Sequence, residues 1–426
     1  MRHLLVFLFG AIFGVSSLSQ ETENSFPVFD FDRDLNVSDS LPLFFDLRNS
    51  GRISPVKTQA NGGCWASAVM GSVESVWRTF DYGNFELSDR NLKQFHGFDP
   101  SLSNNGSHYM ATAYFSRRDG PLMKSPQSDS TDIPEPETVA YITDARYLPN
   151  EPDVVKQTIM DLGAVYSMMY YRRSDLDTNS NIYYASKEKI NHAVNLIGWN
   201  DTLNTNIGRG AWIAQNSLGK SFGEKGFFYI PYADNNVLNY NAIWPKWIPF
   251  EPYSKIFYYD TLGSYKSYGF GDSICYGLIK FTAQREGYLT KIGTAINNPN
   301  TRIKGVVFRE LDNGQKILKD SLSGFNEIIC KYAGYYTIDL EGSVELKKNS
   351  DFYILIKYNT PSDTIPLPIE TFIKGYSEPH IVSGKCWVNP NYDKWPNTWY
   401  ECGAKTEWEA LKFDLCIKAY FEWANE

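Results

Sequence analysis

The sequence predicts an α+β protein in two parts, a mixed helix–strand domain followed by an all-β sandwich. Three observations carry this. Between Cys64 and Phe80 the apolar residues Trp65, Val69, Val73, Val76, Trp77 and Phe80 recur near a 3.6-residue period, the mark of a helix. Beyond residue 250 the texture changes to short aromatic or β-branched runs that often alternate. Aromatic residues make up 15% of the chain, with 29 Tyr and 26 Phe, a usage that favours strand-rich packing. The 426 residues fit two or three domains at about 100–200 residues each.

In chain order, Arg2 and His3 precede the apolar run from Leu4 to Val15, and small residues Ser16, Ser17 and Ser19 follow. That reads as a secretory signal over residues 1–19, too short for the roughly 20 apolar residues of a membrane-spanning helix. An exported chain without a membrane span, secreted or periplasmic, is expected. Residues 20–42 form a short, acidic N-terminal segment. The mixed domain covers 43–250. It holds the helix at Cys64, a second helix at Asp153–Leu162 stopped by Gly163, and strands at Ala193–Trp199, Ala211–Gln215 and Gly226–Pro231. The polar stretch Ser125–Glu137, with three prolines, reads as a surface loop. An aromatic connector spans 251–270 and is expected to pack between the domains. The β domain covers 271–426, with strands in Tyr276–Ala283, Lys304–Leu311, Tyr335–Leu340, Phe352–Tyr358 and Phe413–Phe421. Asp312-Asn313-Gly314 signals a hairpin.

Composition removes several classes of function. With 42% hydrophobic and 21% charged residues the chain is neither disordered nor collagen-like. A net charge of −8 without Lys/Arg blocks argues against nucleic acid as a partner. The histidines are scattered and no Cys-x-x-Cys or His-x-Cys spacing occurs, so neither a metal nor another cofactor is expected.

Five of the six cysteines lie beyond residue 270, and Cys64 stands alone in the first domain. It opens the amphipathic helix directly after Gly62 and Gly63. A helix N-terminus carries partial positive charge, which favours thiolate over thiol, and the glycines let a substrate backbone come close. A buried structural Cys is the ordinary alternative. His192 begins an apolar strand, Asn191-His192-Ala193-Val194, where a lone His is more often structural than catalytic. Asn216 ends another strand before a loop punctuated by Gly219, Gly223 and Gly226, a common place for a turn residue.

Taken together these segments resemble the papain-like (C1) cysteine peptidases. Phe45-Asp46-Leu47-Arg48, then Pro55-Val56-Lys57-Thr58-Gln59, then Cys64-Trp65-Ala66 resemble the start of the family's mature domain. Glu86 to Leu92, Asn191-His192-Ala193-Val194 with Gly198-Trp199, and Asn216-Ser217-Leu218-Gly219 match further family segments in the correct order over residues 45–230. His192 and Asn216 lie 128 and 152 positions after Cys64, where the family places its His and Asn at about 130–150. Gly198-Trp199-Asn200-Asp201, Gly334 to Leu340 and Ile417 to Phe421 are most similar to bacterial secreted members that carry a C-terminal lectin-like β domain.

The resemblance implies a two-lobed papain-like peptidase domain followed by a β sandwich, and a peptide or protein substrate. Cys64 is then the nucleophile and His192 its base, oriented by Asn216. Gln59 shares the oxyanion hole with the Cys64 N–H. Gly62, Gly63, Asn105 and Gly106 would lie along the substrate backbone, and Val165, Met168 and Ala193 would line an apolar pocket, unless Val165 and Met168 are core residues. The lectin-like domain is a possible site for a glycan or a surface ligand.

Three departures qualify the match. Gln59 and Cys64 are five apart where the family has six, and the loop lacks the family's disulfide Cys. Leu218 and Phe222 stand where two Trp usually cover Asn216, which suggests weaker shielding. Only about 23 residues separate the signal from the domain, too few for the family's inhibitory propeptide. Disulfides Cys386–Cys402 and Cys275–Cys416 are expected, leaving Cys330 and Cys64 free. The main alternative to an active peptidase is an inactive homologue acting as a binding or surface protein. A transglutaminase-like acyltransferase and a purely carbohydrate-binding protein are further alternatives.

Overall fold

The structure is a computed structural model that describes residues 29–124, 137–183, 189–312, 314–405 and 409–424. The expected signal, the loop at 125–136 and Asn313 lie outside the described residues. Among the described residues no helix is long and apolar enough to cross a membrane.

The first domain has two lobes. One is built on the helix Cys64–Thr79 with Asp89–Phe95 and His108–Ser116. The sequence pattern predicts an amphipathic helix with one apolar face. Instead every residue from Trp65 to Trp77 is buried, because the helix lies between the two lobes and both claim a face. Two of its polar side chains find partners inside: Ser72 donates to the Ala164 carbonyl at 2.7 Å, and Glu74 Oε1 pairs with Lys57 at 2.6 Å while accepting from the Leu87 N–H at 2.7 Å.

The other lobe is a sheet of Val165–Met169, His192–Thr205, Gly208–Gln215 and Phe227–Pro231. Helix Pro152–Leu162 packs on it. It starts on Pro152, whose missing N–H has no intrahelical role at that position, and stops at Gly163 with φ of 125°.

The C-terminal part is a sandwich. Six strands, Ile274–Thr282, Thr301–Leu311, Leu318–Cys330, Asp351–Asn359, Cys386–Asn389 and Tyr400–Cys402, form one sheet. The other contains Ser254–Phe257, Ile417–Trp423, Gly287–Ile296 and Ala333–Leu346. Ile279, Phe281, Ile292, Ile354, Ile356 and Phe421 fill the space between them. The hairpin expected at Asp312 joins Leu311 to Leu318, with Asp312 Oδ1 accepting from the Gly314 N–H at 2.9 Å.

The two parts share one sheet. Ala333, Gly334 and Tyr335 pair with Tyr147, Arg146 and Ala145, so the second sandwich sheet continues into the first domain as thirteen strands. Gly334 has φ of 149°, and a Cβ there would lie 2.0 Å from the Ala145 carbonyl oxygen, so only glycine permits this approach. Arg146 reinforces the seam: it donates to the Tyr335 carbonyl at 2.8 Å, pairs with Asp32 at 2.9 Å and lies over the Tyr336 ring at 3.4 Å.

The connector packs as expected, and parts of it are strands. Ser254–Phe257 pairs with the closing strand, Tyr259 stacks on Phe281 at 5.2 Å, and Lys266–Tyr268 pairs with Leu367–Ile369. Leu262 enters a core shared by both domains with Trp244, Tyr335 and Cys416.

The expected disulfides are absent, and all six cysteines are free thiols. Cys386 and Cys402 are nonetheless direct cross-strand neighbours. Cys275 and Cys416 are not partners. Cys275 faces the sandwich core, whereas Cys416, between the strand ends Leu415 and Ile417 whose side chains fill that core, points the other way into the shared core.

Candidate active site

Cys64 is the first residue of the buried helix, and its N-cap Gly63 supplies no side-chain cap. The backbone N–H groups at the helix start therefore remain available to a negative charge. The turn before it closes with the Gly63 N–H donating to the Ala60 carbonyl at 2.8 Å, and Lys93 donates to the Asn61 carbonyl. These contacts hold a loop that lacks the family's disulfide.

His192 opens the strand antiparallel to Val165–Met169, opposite Met169. The backbone N–H groups of Ala193, Trp65 and Cys64 itself act on the Cys64 sulfur, which places the thiol between the helix start and the histidine strand. His192 Nε2 lies 2.9 Å from Asn216 Oδ1, which also accepts the Ser217 N–H at 2.8 Å. The Ser217 N–H can only donate, so it fixes the amide orientation; His192 then carries its proton on Nε2 and keeps a lone pair on Nδ1. Burial pushes the Cys64 thiol up, against the pull of those N–H groups. Burial pushes His192 down, opposed by its bond to Asn216.

Gln59 reaches the same place by pairing. Its N–H donates to the Ser217 carbonyl at 2.8 Å, and Gly219 N–H to the Lys57 carbonyl at 3.0 Å. Ser217 Oγ donates to Gln59 Oε1 at 2.6 Å. With its oxygen held, the amide offers Nε2 as donor.

The rim follows from Trp65. Its Nε1 donates to the Ser103 carbonyl at 3.0 Å, and a Cβ on Gly106 would meet its ring at 2.2 Å. Gly62 lies against Asn104, and Asn105 is exposed at the end of the turn Pro100–Asn104.

Met168 and Ala193 pack on the helix-lobe side with Trp65 and Tyr166. Val165 does not join them. It is fully buried in the other core with Ile159, Leu162 and Leu196. Side chains alternate along a strand, so residues 166 and 168 share a face that 165 cannot reach. The same rule points to Tyr166, which the sequence reading missed. Its buried hydroxyl has no hydrogen-bond partner among the described residues, and its titration feels Cys64. The expected loss of shielding is also corrected. Tyr171 lies over His192 at 5.1 Å between centroids, with Phe222 edge-on to Tyr171 at 5.9 Å.

Comparison with known proteins agrees with this geometry. The model described as "Papain family cysteine protease" matches residues 41–243, and that described as "Lectin like domain" matches residues 256–421. The chain is a papain-family domain joined to a lectin-like domain. Cathepsin Q of Rattus norvegicus is 27% identical over 225 residues, covering 48% of this chain and 63% of that protein. Cathepsin J of Mus musculus is 28% identical over 224 residues, covering 47% and 64%. This chain spans less than two thirds of the length of those relatives. The cysteine protease and lectin-like domains of Cwp84, a surface layer associated protein of Clostridium difficile, superpose with a TM-score of 0.75 at 20% identity, covering 90% of each chain. Cwp84 after propeptide cleavage superposes at 0.76 with 20% identity, covering 89% of this chain and 99% of that one. Those two structures share the fold over about nine-tenths of this chain.

Proposed function

We propose that the protein is an exported cysteine endopeptidase whose catalytic unit is residues 43–250. The observation that carries this is the 2.9 Å His192–Asn216 hydrogen bond, set beside a thiol at a helix N-terminus. In this reading His192 Nδ1 takes the Cys64 proton and the thiolate attacks the substrate carbonyl. The oxyanion is held by Gln59 Nε2 and the Cys64 N–H. The amine leaves with the proton from His192, and water, deprotonated by His192, hydrolyses the thioester. Gly62, Gly63, Asn105, Gly106, Met168 and Ala193 border the substrate. Export is supported by the residue pattern at 1–19.

One observation favours an inactive homologue instead. Burial acts against the charged form of both Cys64 and His192. An epoxysuccinyl probe on the full chain separates the readings. Labelling of Cys64 that disappears in His192→Ala, together with hydrolysis of a fluorogenic peptide, is expected. No labelling and no hydrolysis would leave a binding protein.

A further inference from the structure

Two elements outside the peptidase lobes reach the rim of the cleft. The rim begins at Gly106, against Trp65, and continues through Ser107, His108 and Tyr109. From the lectin-like domain, Tyr376 lies beside Ser107, its buried hydroxyl without a hydrogen-bond partner among the described residues, and packs its ring on Tyr265 at 4.7 Å. Tyr265, from the connector, meets Tyr109 edge-on at 5.4 Å. Tyr109 lies on His108 at 4.1 Å, and His108 lies 5.6 Å from Tyr166 and 6.4 Å from Tyr240. Tyr166 belongs to the cluster against which Cys64 packs. An unbroken aromatic path therefore joins that cluster to the second domain.

The outer rings of this path are open to solvent. Tyr240 is 44% exposed and Tyr265 53% exposed, with Tyr109 and Tyr376 half-buried. Burial holds His108 near 3, so it is neutral, and no side chain in the path carries charge at neutral pH. The shelf is also held in place. Tyr376 packs on Phe98 at 5.1 Å, and the shared sheet fixes one domain against the other.

We propose that Tyr109, Tyr240, Tyr265 and Tyr376 form a substrate subsite built jointly by the peptidase domain, the connector and the lectin-like domain, which takes an aromatic or large aliphatic side chain of an extended peptide. The proposal rests on the peptidase reading for its occupant. A peptide laid along the Gly106 edge advances about 3.3 Å per residue, so a side chain a few positions from the scissile bond meets these rings. Exposed tyrosines offer stacking area that is already ordered, so little conformational freedom is lost on binding. A charged side chain would lose water there and find no opposite charge among the four phenols.

Binding to the full-length Cys64→Ala chain tests this whether or not the native protein hydrolyses peptides. Labelled peptides differ at one position, two to four residues before the intended scissile bond, and carry Phe, Leu, Gly, Asp or Lys there. Phe and Leu peptides should bind about tenfold or more tighter than the Gly peptide, with Asp and Lys no better than Gly. Tyr265→Ala should bring the Phe-to-Gly ratio to within about twofold, and Tyr265→Phe should restore it. Tyr253→Ala, on the segment that pairs with the closing strand, should leave the ratio alone. Equal binding of all five peptides, or a ratio that survives Tyr265→Ala, overturns the subsite. So does displacement of every peptide alike by a soluble oligosaccharide, which would give the tyrosines to a sugar. Absence of probe labelling at Cys64 in the unmodified chain would overturn the peptidase reading and leave this result standing.

Discussion

The Tyr171 ring lies over the His192 imidazole, with centroids 5.1 Å apart and planes inclined by 38°. Asn191 clamps the backbone of Tyr171 from both sides: its Oδ1 accepts the Tyr171 N–H at 2.7 Å and its Nδ2 donates to the Tyr171 carbonyl at 3.0 Å. The cover over the His192 ring thus comes from the segment after Met169, backed by Phe222 of the asparagine loop. Removing the Tyr171 ring lets water compete for the His192–Asn216 bond. Tyr171→Ala should lower kcat/KM by about tenfold. It should also relieve the burial that holds His192 down, so the acid limb of the pH profile, which reports protonation of the neutral His192 base, moves to higher pH. Tyr171→Phe should keep both the rate and the limb. A profile unchanged in Tyr171→Ala would show that the ring only packs.

Within the site the four residues should separate by role. Cys64→Ala and His192→Ala should abolish peptide hydrolysis while the thermal unfolding midpoint stays close to that of the parent. Gln59→Ala should cost about 10²–10³ in kcat as a lost oxyanion donor. Asn216→Ala should be slow but active, because it orients the base without bonding to substrate. Turnover of Gln59→Ala at the parent rate would mean that the shortened loop keeps Nε2 out of the hole.

Gly106 has no room for a side chain, since the Trp65 ring would lie 2.2 Å from its Cβ. The indole is anchored through Nε1 to Ser103, so the rim must move instead. Gly106→Ala should therefore destabilise by about 1–3 kcal/mol and raise KM. Thermal unfolding and steady-state kinetics check both effects, and a parent-like KM would place the rim outside the substrate path.

The joint between the domains buries three carboxylates with one lysine. Lys418 bonds Asp260 Oδ2 at 2.6 Å, Glu370 accepts the Leu262 N–H, Asp414 accepts the Val382 N–H at 3.2 Å, and Arg117 donates to the Thr261 carbonyl. Burial raises Glu370 to about 8, Asp414 to about 7 and Asp260 to about 6, each above its unfolded value. Folding takes up protons between the unfolded and folded values, so stability falls as pH rises through that range and levels off above it. Above about pH 7 the buried histidines, which are shifted down, are neutral whether folded or not and add no slope. The melting temperature should thus decline from about pH 7 to about pH 8.5. Glu370→Gln keeps the acceptor for Leu262 and removes the charge, so it should flatten the decline and raise Tm at the alkaline end by a few degrees. A steeper decline in the variant would contradict the assignment.

Ala145, Trp244, Leu262, Tyr335 and Cys416 belong to one buried cluster that spans both domains. Neither domain can unfold without exposing it. Scanning calorimetry should show one cooperative transition for the full chain, and two resolved transitions would show that the shared sheet does not couple them.

The sequence by itself determined the helix at Cys64, the strands that carry His192 and Asn216, and the two-part α+β organisation. These rest on short-range rules: a 3.6-residue period, alternation, glycine stops and motif order. It also showed that residues 251–270 are too aromatic to be a free linker. Only the tertiary structure decided which faces meet. The helix at Cys64 reads as amphipathic, yet it is buried all round because a second lobe covers its polar side. Val165 and Met168 look equivalent in sequence, and one strand's pleat sends them into different cores. Cys275 faces the sandwich core, but Cys416 lies between Leu415 and Ile417, which claim that core, and so points into the shared one. Tyr171 over His192 and Tyr376 beside Ser107 join residues 21 and 269 positions apart. No local period encodes such pairs, because burial, sheet pairing and side-chain packing between distant segments select them after the elements have formed.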